Sequence, residues 1–110
     1  YAQSISLLKQ PNRPTAIFAG SDLQAMGVYE AARQLGLRIP EDLSVVGFDD
    51  VQTAAFLGPA LTTVRQPLQD MARAAVRMLV EALSTDDVIQ PHIIMPTSLV
   101  VRNSTQQLEG

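Results

Sequence analysis

The 110-residue chain sets 8 Lys and Arg against 11 Asp and Glu, for a formal net charge of -3 and a pI near 4.9. It therefore lacks the basic face that binding of nucleic acid demands. The absence of cysteine excludes disulfides, thiolate metal sites and cysteine nucleophiles, and agrees with a cytosolic origin. No apolar run approaches the roughly 20 residues of a membrane span, and no signal-peptide pattern opens the chain. A first residue of Tyr1 rather than Met is expected of a processed or excised piece, one domain at most.

Ile5 and Leu8 stand at helical spacing ahead of Pro11-Asn12-Arg13-Pro14, so the chain should open on the tail of a helix. Thr15 to Ala19 reads as a buried strand, and Gly20-Ser21-Asp22 turns from it into a helix that Ser21 or Asp22 can cap. That helix spans about Leu23 to Leu35 and ends at Gly36, with Pro40 shortly beyond. Ala25, Val28, Tyr29, Ala32 and Leu35 share the face that should pack on a sheet. Leu23 and Met26 fall instead on the side of Glu30, Arg33 and Gln34, which leaves open a partner interface or simple exposure.

The stretch Ile39 to Asp50 organises the rest. Leu43 to Phe48 is apolar almost throughout, as in a central parallel strand covered on both faces, and Gly47, Asp49 and Asp50 mark its carboxyl end. Val51 to Gly58 is irregular or a short helical turn carrying Phe56 and Leu57, and Leu61 to Val64 is a β-branched strand. Gln66-Pro67 opens a second helix. Leu68, Met71, Ala72, Ala75, Leu79, Ala82 and Leu83 form its apolar face, opposite Asp70, Arg73, Arg77 and Glu81. A polar loop, Ser84 to Pro91 with Asp86 and Asp87, leads to short strands at His92–Met95 and Ser98–Arg102 separated by Pro96. The tail from Asn103 is polar and expected to fray. The order is that of a doubly wound α/β fold.

Ligands of open α/β sheets bind beyond the carboxyl ends of the strands, so Asp49 and Asp50 form a candidate site. Successive strand residues point to opposite sides, so at most one of the pair faces a cleft. Either one caps the next turn while the other is solvated, or one accepts hydrogen bonds from ligand hydroxyl or amine groups. Ser21 and Asp22 sit at the corresponding end of the neighbouring strand, as helix caps or as members of a shared crevice. Catalysis has little support: His92 is the single histidine, and no nucleophile stands beside a base. Phosphate-loop and metal-ligand spacings are also missing. A binding protein with no cofactor, not an enzyme, is expected.

The runs Arg13-Pro-Thr-Ala-Ile-Phe-Ala-Gly-Ser-Asp22, Met26-Gly27, Gly36-Leu-Arg-Ile-Pro-Glu-Asp-Leu-Ser-Val-Val-Gly-Phe-Asp-Asp50 and Leu61-Thr-Thr-Val-Arg-Gln-Pro67, with Met71-Ala72 and Leu79, carry a family likeness. Together they resemble the effector-binding domain of the lactose-repressor/galactose-repressor (LacI/GalR) family of bacterial transcription regulators, to about Thr105. The resemblance implies a fragment of a type I periplasmic-binding-protein-like fold, a mostly parallel sheet flanked by helices. It assigns residues 1–65 and 96–105 to the C-terminal lobe, 66–95 to the N-terminal lobe, and 106–110 to a tail. Leu61–Val64 and the segment around Pro96 would be crossovers that act as hinges.

The DNA-reading helix-turn-helix headpiece would lie to the N-terminal side, absent from this chain, so DNA would be bound only through it. A small-molecule effector, most simply a sugar, would be held between the lobes. The first Asp after the Gly-aromatic pair, Asp49, would contact it, with Ser21, where the family often has Asn, Asp22 and the apolar Leu68 around it. Met26, Leu23, Phe56 and Leu57 match the homodimer face. The implied protein is cytoplasmic and makes no membrane contact. A periplasmic-type sugar-binding protein for transport or chemosensing is the alternative, with a sugar-processing enzyme behind it.

Overall fold

The computed structural model describes residues 1–84 and 92–108; Asp86 and Asp87, expected in a polar loop, lie outside them. The chain divides into two compact units. One is Tyr1–Arg65 together with the chain from Ser98 onward, and the other is Gln66–Thr97.

The first unit contains helices α1 (Ala2–Leu8) and α2 (Asp22–Gln34), strands β1 (Ala16–Phe18), β2 (Ser44–Asp49), β3 (Thr62–Arg65) and β4 (Ser98–Val100), and a 3₁₀ turn at Gln52–Phe56. Its sheet has the order β1-β2-β3-β4. The first three strands are parallel, and β4 runs antiparallel to β3. A parallel neighbour needs a crossover, which α2 supplies between β1 and β2.

Ser21 caps α2, its Oγ accepting the Gln24 amide at 3.1 Å, and Gln24 reaches back to accept the Gly20 amide at 3.0 Å in a variant of the capping box. At the other end Gly36 takes φ +70. The Leu37 amide there closes on the Ala32 carbonyl at 2.9 Å, as a left-handed glycine after a helix permits.

The expected packing face of α2 holds: Ala25, Val28 and Ala32 are buried, and Tyr29 and Leu35 pack partly buried against the core. Ala31 and Asp22 are buried as well. Ala25, Val28, Ala31 and Ala32 form one apolar cluster with Leu8, Ala19, Leu43, Val45, Ala54 and Leu61, where each full-sized aliphatic side chain contributes about 1.5–3 kcal/mol by leaving water.

Three expectations for this unit are corrected: β1, expected to be buried, is exposed at Ala16 and Phe18. Strand β2 alternates half-buried and buried residues instead of being covered on both faces, because α2 shields one side while Phe18 on the neighbouring β1 stays mostly exposed. Nor does the tail fray at Asn103. The Asn103 amide bonds the Ala60 carbonyl at 3.0 Å. Ser104 is fully buried, its Oγ accepting the Thr62 amide at 2.8 Å and donating to the Val45 carbonyl at 2.5 Å. A polar residue stays buried when its hydrogen bonds are met, and here they stitch β2 to β3.

The second unit holds α3 (Leu68–Ser84), none of whose residues is buried. Pro67 precedes it, accepting the Met71 amide at 2.9 Å. Residues 92–97 form no regular strand, against the expectation for His92–Met95, since an apolar run becomes a strand only beside a backbone partner. Ile93 and Met95 instead line a shallow groove with Met71, Ala74, Ala75 and Met78 of α3.

Candidate functional site

Because β1, β2 and β3 are parallel, their carboxyl ends share one edge of the sheet. The segments leaving that edge are 19–22, 49–51 and, after Arg65, the chain into the second unit. Asp22, first residue of α2, is fully buried. Its Oδ1 accepts the Thr63 hydroxyl at 2.6 Å and its Oδ2 accepts the Val51 amide at 2.8 Å. Thr63 Oγ1 in turn accepts the Asp50 amide at 3.3 Å.

Gly47 leaves room for this bridge. A Cβ there would collide with Asp22 Oδ1 and lie 2.9 Å from Leu61 Cδ2. Asp22 is thus a fastener between the strand ends, fully buried with each oxygen engaged.

Asp49 and Asp50 take φ of 122 and 57, a region that costs a non-glycine residue about 1–3 kcal/mol and persists only where the surroundings enforce it. The enforcement is visible around Asp50, whose side chain is 7% exposed. Its Oδ2 accepts from Arg65 Nε at 2.7 Å and its Oδ1 from Arg102 Nη2 at 2.7 Å. Arg102 is itself fixed, Nη1 donating to the Leu61 carbonyl at 2.8 Å and its amide to Thr62 Oγ1 at 2.9 Å. Burial alone would raise the Asp50 pKa, but the hydrogen bonds and charges of Arg102 and then Arg65 hold it below the usual carboxylate range.

Asp49, one residue earlier, is half-buried and stands opposite Arg65 in the β2–β3 register. Ser21, half-buried, lies in the turn that leaves the adjacent strand β1 for α2. Leu68, the fourth expected contact, opens α3 in the second unit and is 56% exposed. Of the expected dimer residues, Leu23 and Phe56 are 76% and 82% exposed, Met26 is half-buried, and Leu57 packs partly against the core.

Sequence reasoning passed over Arg65, Arg102 and Thr63. The signal available was an arginine closing each of two strand patterns in a chain with an Asp pair closing a third. Among the described residues no cluster of three or more His, Asp or Glu is placed to hold a metal, and no helix is long and apolar enough to cross a membrane.

Residues 1–105 match the model of the periplasmic binding protein-like domain. The chain is 50% identical over 107 residues to an uncharacterised HTH-type transcriptional regulator in the aml 5' region of Streptomyces limosus, covering 97% of this chain and 30% of that protein. It is 39% identical over 104 residues to the ribose operon repressor of Haemophilus influenzae, covering 94% and 31%. The chain thus spans about 30% of the length of these relatives. Among solved structures it resembles a LacI family transcriptional regulator from Enterococcus faecium with bound ribose, at 28% identity and a TM-score of 0.89, over 99% of this chain and 40% of that one.

Proposed function

The chain belongs to the periplasmic binding protein-like domain family and, within it, to the LacI/GalR-type transcription regulators, and from this membership we propose that it is the sugar-sensing and dimer-forming portion of such a regulator. The observation that carries the reading is Asp49. It is a half-buried carboxylate at the carboxyl end of a parallel strand, held in a left-handed backbone conformation by the groups around it. Carboxylates at that edge accept hydrogen bonds from sugar hydroxyls, and the Ser21 hydroxyl stands at the neighbouring strand end to assist. The bound ribose of the Enterococcus faecium relative and the name of the ribose operon repressor support a sugar as the effector class.

Division of the chain at Arg65 and Ser98 supports assigning residues 1–65 and 96–105 to one lobe and 66–95 to the other. Leu23 and Phe56, large, apolar and mostly exposed, support a homodimer face that Met26 and Leu57 complete. DNA would be read by a headpiece outside this chain, in the cytoplasm. The regulator works by population shift: a sugar favours one lobe arrangement, and the dimer passes that preference to the headpieces as a coupling of roughly 1–3 kcal/mol.

The test is a thermal-shift panel of pentoses, hexoses and disaccharides on the full-length regulator and its Asp49→Ala variant. A sugar at about 100 times its dissociation constant adds roughly 2.7 kcal/mol of stability. One sugar should shift the wild type and none the variant, whose unliganded midpoint stays close to wild type. An equal shift in both removes Asp49 from the site.

A further inference from the structure

Asp50 is too occupied to be a second ligand contact. Its side chain is 7% exposed, and each oxygen holds one arginine at 2.7 Å. Its amide is spent on Thr63 Oγ1, and the next amide, that of Val51, on Asp22. The peptide that follows Asp49 is therefore fixed from several sides, and Asp49 is held at φ 122 by what its neighbour grips.

The two arginines also occupy special places in the chain. Arg65 is the last residue of the first unit before the chain leaves it. Arg102 follows β4, the strand on which the chain returns. One carboxylate thus ties together the departing strand, the returning strand and the backbone that orients Asp49.

We infer that Asp50 is the positioning residue of the effector site, a clip through which sugar occupancy at Asp49 and the setting of the two passages between units act on each other. This deepens the proposed function and rests on it. A shift of the Asp49 peptide on binding must move the Asp50 carboxylate, and that carboxylate cannot move without Arg65 and Arg102 following or letting go. Reciprocity then requires that loosening the clip weaken the sugar.

The experiment is a mutant cycle in the full-length regulator: wild type, Asp49→Asn, Asp50→Asn and the double variant. The probe is whichever of ribose, glucose and cellobiose shifts the wild type most, with dissociation constants from calorimetry and unfolding midpoints alongside. Asp50→Asn should weaken the probe about tenfold in the wild-type background and less than about twofold in the Asp49→Asn background, because it acts through Asp49. Its effect on the unfolding midpoint should be the same in both. Arg102→Lys keeps the charge but loses the fork that spans the Leu61 carbonyl and Asp50, so it too should weaken the probe, by about threefold, and only where Asp49 is present.

Binding by Asp50→Asn within twofold of wild type overturns the inference, and so does a tenfold loss that persists in full without Asp49. If Asp49→Asn itself binds like wild type, or no probe binds, the effector reading has failed and the inference falls with it. Should Asp50→Asn not fold, Arg65→Gln at the 56% exposed partner takes its place in the cycle, with about threefold expected in place of tenfold and the same requirement for Asp49.

Discussion

The two units of this chain are built from similar residues to opposite effect. The first gathers short strands and a cap-to-cap helix around Leu61, Val45 and Ala25, all without exposure to solvent. The second presents a 17-residue amphipathic helix in which no residue is buried, with Leu79 61% and Leu83 82% exposed. Apolar periodicity alone therefore does not make a core. A helix is stabilised by what covers its stripe, and α2 has a sheet, whereas α3 has beside it, among the described residues, the short run through Ile93 and Met95.

Leu61→Ala and Leu79→Ala, compared by chemical denaturation of this chain, sharpen that contrast most. The first removes a fully buried side chain and should cost about 2–5 kcal/mol. The second, on α3, should change stability by less than about 0.5 kcal/mol. Equal losses would mean that α3 is as well packed as the sheet.

Asp22→Ala comes next, because it leaves the Thr63 hydroxyl and the Val51 amide without their acceptor in a buried place. The expected loss is about 1–3 kcal/mol for each orphaned group, against a smaller one for Asp22→Asn. Urea midpoints check this, and a neutral Asp22→Ala would show that water reaches the strand ends.

The smallest effects are electrostatic, and pH separates them. Asp50 is held below its usual pKa by Arg102 and Arg65 against the opposing effect of burial. It therefore adds stability above the unfolded carboxylate pKa of about 4 that is lost as pH falls through its lowered folded value. Asp50→Asn should flatten the fall in stability below pH 4. Glu30 is lowered to about 2 by the hydrogen bonds of Arg33 and Gln34, yet the pair lies in solvent, where such contacts contribute little. Glu30→Gln should leave the acid-unfolding curve unchanged within error; a curve altered as much as that of Asp50→Asn would contradict the contrast between clip and surface pair.

What the sequence disclosed follows the same division. Elements signalled by local chemistry were legible: the Ser21 cap, the Gly36 stop, the apolar face of α2, and an Asp pair ending β2. Features that need a partner distant in the chain were not. Nothing near Asp22 announces that Thr63 will donate to it 41 residues away. Nothing near Ser104 announces that it will close on Val45, so a polar tail read as frayed is in fact pinned. His92–Met95 failed as a strand for the converse reason, having the right residues without a ladder to join. The grip on Asp50 was equally hidden, because its arginines lie 15 and 52 residues on.

The most direct test is a crystal structure of the full-length regulator with the sugar that shifts it most. The prediction is a sugar hydroxyl within hydrogen-bonding distance of the Asp49 carboxylate, with Asp22 still buried on Thr63. A sugar bound elsewhere, with Asp49 turned to solvent, would contradict the sensing role assigned to this edge of the sheet.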